Sequence, residues 1–282
     1  MREANVRVDQ LGVQVHCLRH RIAAAGLQAA LDWVRQLCLS SIELISFPGC
    51  YGNRWGDFGA ATHLSPERIR AALSASGLIC PGVMVGEAEL SSDRIDATLD
   101  WIGAIGSHRV VLTAVHSAPT GAPQFLDRVY AHAHRCLRAG FQFVLHTQPE
   151  LWVPVQGQRP AERLLAALDT SVLRLEFDPT GAIQFGADPA EYLRQRPQAF
   201  YAMHLRDGTR PVNPVPYLPA EALGAGGVDW EDLLSATKGS GIEWFFLEME
   251  VADPETTLSA LARSLAFLRN HDLMAPLAPA PA

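Results

Sequence analysis

The feature that most constrains this chain is a repeat. Eight short runs rich in apolar and β-branched residues recur at intervals of about 30 residues, with helix-like segments between them. The runs begin near Leu11 (LGVQVHC), Ser41 (SIELIS), Leu78 (LICPGVMV), Arg109 (RVVLTAV), Gln142 (QFVLH), Leu173 (LRLEFD), Phe200 (FYAMHL) and Trp244 (WFFLEM). The spacing predicts helices over Ala24–Leu37, Pro66–Ser76, Asp93–Ile105, Gln124–Leu137, Pro160–Leu168, Pro189–Gln195, Trp230–Thr237 and Pro254–Arg269. Proline opens several of them, where a first-turn N–H has no partner to lose. Ser76-Gly77, Ala139-Gly140 and Ser240-Gly241 precede strands and are expected C-caps. Eight such units predict a parallel sheet closed into one (β/α)8 TIM barrel over residues 1–274. An open doubly wound sheet usually has a glycine-rich phosphate turn after its first strand; here Cys17-Leu18-Arg19-His20 follows instead. The Pro/Ala-rich end, residues 275–282, is expected to be a disordered tail.

Charge and composition exclude several functions. The formal net charge is −7, which argues against a nucleic-acid partner. No apolar run reaches the ~18 residues of a membrane span. The first residues show no apolar core behind a basic start, so no secretory signal is expected. The five cysteines are scattered, with no C-x-x-C pair, which points to reduced thiols and a cytoplasmic protein. Lys238 is the only lysine and sits just before the eighth strand, at the end of the barrel away from the expected active face. Schiff-base chemistry is therefore not expected.

In a barrel, chemistry gathers at the C-terminal ends of the strands. Here those ends carry His16 and Arg19, Glu43, His116, His146 with Gln148 and Glu150, Glu176 and Asp178, His204 with Arg206 and Asp207, and Glu248 and Glu250. One such histidine or carboxylate has a bland explanation, as a hydrogen-bonded core residue or a helix cap. Imidazoles and carboxylates on four consecutive strands meet at one mouth, where unpaired acids repel one another unless a cation or protons intervene. A mixed nitrogen and oxygen set suits Mn, Co, Fe or Zn better than Mg or Ca. In the sixth strand Arg174, Glu176 and Asp178 share one face; Asp178, at the end, is the expected inward ligand, and Glu176 is expected to join an ion pair, for example with an arginine.

These strand ends, in this order, resemble the sugar phosphate isomerase/epimerase superfamily, the xylose-isomerase-like barrels. The resemblance spans nearly the whole chain and is best from Gly140 onward. It rests on His204-Leu205-Arg206-Asp207-Gly208, on Leu223-Gly224-Ala225-Gly226-Gly227-Val228-Asp229-Trp230, on Phe246-Leu247-Glu248-Met249-Glu250, and on a closing helix from Pro254 through Ser264-Leu265-Ala266-Phe267-Leu268. It implies a divalent metal held by His146, Asp178, His204 and Glu248, with Glu150 as the rival to His146. The strand-five ligand of that family is usually glutamate, so His146 departs from the pattern. The departure puts in doubt the family's pair of metal-bound glutamates, one on each face of the sugar carbon.

The expected activity is a metal-dependent sugar isomerase or epimerase on a keto-sugar or hydroxy-ketone, with Glu248 removing the proton next to the carbonyl and the metal stabilising the enediolate. Glu150, His116 or a water is expected to be its partner. His16, Arg19, Glu43, Trp55, Gln148 and Arg206 are expected to bind the carbohydrate, under a loop, Phe47–His63, in which Phe58 offers a second aromatic face. The segment Gly208–Val228 is expected to fold over the mouth too. A dehydratase or lyase on a 3-keto-glycoside fits the same residues. A barrel that has lost catalysis and serves as a binding or assembly subunit is a further alternative, and a damaged-DNA endonuclease is disfavoured by the acidic balance. Exposed barrel helices leave a homo-oligomer open.

Overall fold

The computed structural model describes residues 6–45, 64–114, 123–209, 220–249, 254–271 and 273–275. His116, Trp55, Phe58 and Glu250 lie outside the described residues, as does the loop Phe47–His63. The strands β1 (Leu11–Gln14), β2 (Ser41–Ile45), β3 (Val83–Gly86), β4 (Arg109–Ala114), β5 (Gln142–His146), β6 (Leu173–Phe177), β7 (Phe200–Leu205) and β8 (Trp244–Leu247) form a closed parallel barrel, with β8 pairing back to β1. The expected (β/α)8 TIM barrel is the observed fold. No described helix is long and apolar enough to cross a membrane.

The helices are α1 (Arg19–Gln36), α2 (Pro66–Ser76), α3 (Ile95–Ile105), α4 (Pro123–Arg138), α5 (Pro160–Ala167), α6 (Pro179–Gln184), α7 (Pro189–Gln195), α8 (Trp230–Ala236) and α9 (Pro254–Asn270). Several details depart from the sequence reading. Helix α1 starts at Arg19 rather than Ala24 and breaks at Gly26, whose φ of 84° interrupts the helical backbone. The third run becomes a strand only at Val83, because Pro81, which has no N–H, interrupts it after Ile79 makes one bridge to Ser41. After α8 the left-handed residue is Gly239, not Gly241. At the chain's end Met274–Ala275 pairs with Val6–Arg7, so Ala275, read as tail, lies in a short strand.

Alternation along the strands sorts the side chains. On β6, Leu173, Leu175 and Phe177 are buried, and Phe177 packs on Phe200 with ring centroids 5.0 Å apart and on Trp152 at 5.9 Å. Arg174, Glu176 and Asp178 take the other face, towards the barrel axis. The β6–β7 register slips, so Leu175 pairs with Phe200 but Glu176 with Ala202. The slip inserts Tyr201 as an extra residue and resets the phase of β7. Tyr201 and His204, three apart, then both face the interior. Tyr201 lies under the Arg109 and Arg174 guanidinium groups, at 4.5 and 5.4 Å from its ring centroid. Both arginines also reach Glu243, at 3.3 and 3.1 Å. These residues make a charged floor at the N-terminal end of the barrel.

The His-Leu-Arg-Asp-Gly run and the glycine-rich run meet at one carboxylate. Asp207 is wholly buried and accepts five N–H bonds. Oδ1 takes Gly208 N at 2.8 Å and Val228 N at 3.2 Å; Oδ2 takes Gly224 N at 2.9 Å, Gly226 N at 3.2 Å and Trp230 Nε1 at 2.8 Å. Gly224 needs its φ of 79°, and a Cβ on Gly226 would fall 2.2 Å from Asp207 Oδ1. The motif pair is thus a clamp that ties the end of β7 to the start of α8. Asparagine at 207 would offer one acceptor oxygen to five donors. Asp207→Asn should lower unfolding stability by about 3 kcal/mol or more, read from denaturant melts.

Candidate metal centre

Four side chains predicted from the strand ends come together. One ligand atom each from His146, Asp178, His204 and Glu248 lies within 4.8 Å of the others, and all four residues are buried. Glu150, the rival on the same strand end, is exposed and outside this cluster.

His204 is the hub. Its Nδ1 lies 2.7 Å from Glu248 Oε2 and 3.2 Å from His146 Nε2. Its Nε2 lies 3.0 Å from Glu43 Oε2 and 3.4 Å from Glu176 Oε2. Phe246, its register partner on β8, meets the ring edge-on at 6.3 Å and 89°. Burial opposes a charge on His204, but Glu176 and Glu248 outweigh it and raise its pKa well above the ordinary imidazole range. Burial by itself would raise Glu248; His204 and then Arg206 reverse this and hold it well below the usual carboxylate range. Burial, then His204, lowers His146. Glu43 goes the other way: burial and Glu176 push it well above the carboxylate range. Glu176 is held below that range, because His204 overrides its burial. One proton shared within the Glu43–Glu176 pair, and resting on Glu43, accounts for both directions.

Asp178 serves twice. Its Oδ1 caps α6, accepting from Thr180 N at 2.8 Å and Thr180 Oγ1 at 2.5 Å. Its Oδ2 stays towards the cluster, with Arg206 Nη1 3.7 Å away. Cys17 brackets Glu248: its Sγ accepts from Met249 N at 3.0 Å and lies 3.8 Å from Leu247 O. That thiol, buried in the core, fixes the backbone on both sides of Glu248, and nothing in its sequence context signals this.

Two expected carbohydrate contacts have other uses. Glu43 is wholly buried beneath His204, out of reach of a ligand at the mouth. Gln148 Nε2 donates to Thr113 Oγ1 at 2.8 Å and to the Thr113 carbonyl, and lies 3.2 Å from His146 Nδ1, so it steadies that ring. Glu176 engages His204 rather than an arginine, because Arg174 is committed to Glu243 and to the Phe200 and Gly241 carbonyls. Arg206 faces Asp178 instead of its neighbour Asp207, whose oxygens are taken by N–H donors. His16 and the half-buried Arg19 stay at the end of β1, with Arg19 Nη1 2.9 Å from His16 O.

The donor set fits a divalent transition metal. Two imidazoles and two carboxylates on four rigid strand ends match the nitrogen and oxygen preference of such ions, and a buried carboxylate cluster is relieved by a cation.

No family model matches the sequence, and no curated protein matches it either. Solved structures do match in fold. A sugar phosphate isomerase/epimerase from Parabacteroides distasonis ATCC 8503 aligns at a TM-score of 0.74 and 15% identity, over 92% of this chain and 95% of that one. The probable 3-DHS dehydratase AsbF of Bacillus anthracis aligns at 0.69 and 12% identity, over 93% and 99%. The IolI protein, in a structure with a bound zinc atom, aligns at 0.65 and 13% identity, over 94% and 98%. The fold is therefore that of the xylose-isomerase-like TIM barrels, as the strand-end resemblance implies.

His16 provides a pH test. Burial, then Arg19, lowers its pKa from the ordinary 6.5 to about 3. The unfolded chain binds this proton at a higher pH than the folded one does. The stability that neutral His16 contributes is present above pH 6.5 and lost progressively as pH falls towards 3. His16→Gln should flatten the fall of Tm across that window relative to wild type, in thermal melts at stepped pH.

Proposed function

We propose that the chain is a divalent-metal-dependent isomerase or epimerase acting on a keto-sugar or hydroxy-ketone. The observation that supports this most is the buried His146, Asp178, His204 and Glu248 cluster at the C-terminal strand ends of a barrel. Those four residues would hold the metal. A cation there supplies Lewis acidity to neighbouring carbonyl and hydroxyl oxygens of the substrate.

The chain's own groups supply the rest. Glu248 is held in its ionised form at neutral pH, the state a base needs to take the proton next to a carbonyl. Cys17 keeps its backbone in register with β1. Arg206, 5% exposed and permanently charged, faces the same space and would anchor an anionic or hydroxyl group of the substrate. His16, neutral at pH 7, and Arg19 flank it from β1. Proton return would fall to Glu150, His116 or water. The four described cysteines are free thiols, in keeping with a cytoplasmic setting.

One observation favours a second reading, a dehydratase or lyase. The strand-five position of the cluster carries His146, so Glu248 is the single glutamate among its four members. A lone carboxylate base serves elimination next to a carbonyl as readily as transfer between two faces of one carbon, and one of the fold relatives is described as a probable dehydratase.

Glu248→Gln should lower turnover of a responsive keto-sugar by about 10²–10⁴-fold while metal remains bound. His204→Ala should lose the metal. Stripping with a chelator should abolish activity, and restoring a divalent transition metal should return it. Full activity in the stripped protein would rule the reading out.

A further inference from the structure

The described interior holds a second group beside the proposed metal ligands: Glu43 and Glu176, both wholly buried, on the far side of the His204 ring. They come from strands on different sides of the barrel, β2 and β6, and converge on one atom. Glu43 Oε2 lies 3.0 Å from His204 Nε2, and Glu176 Oε2 lies 3.4 Å from it. The opposite nitrogen, Nδ1, faces Glu248 and His146 at 2.7 and 3.2 Å. The two edges of one imidazole therefore divide the interior into the four-residue cluster above and a carboxyl pair below.

A neutral imidazole carries one ring proton, and which nitrogen holds it depends on what each faces. A lone pair on Nε2 would be directed at two carboxyl groups, whose oxygens lie 3.0 and 3.4 Å away. A lone pair on Nδ1 is what a cation in the upper cluster requires. We infer that Glu43 is a positioning residue: it accepts the His204 Nε2–H bond, with Glu176 as the neighbouring acceptor, and so presents Nδ1 to the metal. The inference rests on the proposed metal site and deepens it.

Three surroundings make the arrangement specific. The Phe246 edge at 6.3 Å fixes the plane of the imidazole. Gly82 borders Glu43: a Cβ there would make ordinary contact with Oε1 at 4.0 Å and crowd Val111 Cγ2 at 3.1 Å. Arg174, the cation nearest in sequence to Glu176, is drawn down to Glu243 in the barrel floor, so it does not neutralise the pair. Carboxylate–histidine–metal chains of this type orient the ring and raise the basicity of the ligating nitrogen, and losing the outer partner typically costs 10–100-fold in metal affinity.

The test uses zinc and the full chain. Wild type, Glu43→Gln and Glu43→Leu are checked for wild-type circular dichroism, stripped with a chelator and titrated with Zn²⁺ in a competition assay. Wild type should bind one zinc per chain. Glu43→Leu, which has no acceptor, should bind about 10–100-fold more weakly. Glu43→Gln, equally uncharged but able to accept through its amide oxygen, should recover most of the loss. Zinc-loaded wild type labelled with ¹⁵N-histidine should show a one-bond N–H correlation at His204 Nε2 and a zinc-shifted Nδ1, a readout that needs no variant. Equal affinity in wild type and Glu43→Leu would overturn the inference, as would zinc bound through Nε2. Two zinc ions per chain, with Nε2 carrying no proton, would also overturn it, since the carboxyl pair would then be a cation site. Wild type that binds no zinc would remove the metal reading and this inference together.

Discussion

The rest of the structure depends on how a closed barrel tolerates acids in its interior. Glu43, Glu176, Asp178 and Glu248 are all buried there, and a carboxylate taken out of water costs several kcal/mol unless it is paired. His204 is the shared counter-group for three of them. Its contacts hold Glu248 and Glu176 below the usual carboxylate range, while burial and Glu176 push Glu43 above it. Asp178 has its own arrangement, with one oxygen capping a helix and the other towards Arg206. The acids at the mouth, Asp178 and Glu248, are thus aimed at one point by the barrel itself.

Much of the chain's remaining polar machinery keeps that arrangement rigid. The register slip at Tyr201 lets His204 face inward above a floor built from Arg109, Arg174 and Glu243. Gln148 holds His146 from its outer edge, and Cys17 holds the backbone on both sides of Glu248. Asp207 gathers five N–H groups at the end of β7, immediately beyond Arg206. Asp207 and the glycine-rich run are therefore structural, whereas His204 and Arg206, three residues and one residue before Asp207, face the cluster.

The barrel was legible in the sequence because a period of about 30 residues leaves few topologies open. The strand-end positions were legible because polar residues cluster where a barrel meets solvent. The depth of each side chain was not. Glu43 and Asp178 both belong to inward faces, yet one lies beneath His204 and the other at the cluster. That difference comes from the stagger of β2 against β6 and from the slip on β7, neither of which periodicity encodes. The contacts of Gln148 and Cys17 were not legible for a related reason, since they are made with partners far away in sequence, Thr113 and Met249. His146 enters the cluster from the last residue of β5, whereas Glu150 lies beyond the strand, exposed in a turn whose other residues are buried.

The central claim, that the barrel mouth is built to hold one divalent metal, is tested most directly by anomalous diffraction from a zinc- or manganese-soaked crystal at the metal's absorption edge. The account predicts a single strong peak among His146, Asp178, His204 Nδ1 and Glu248. Absence of a peak there at saturating metal, with the four side chains otherwise in place, would contradict it.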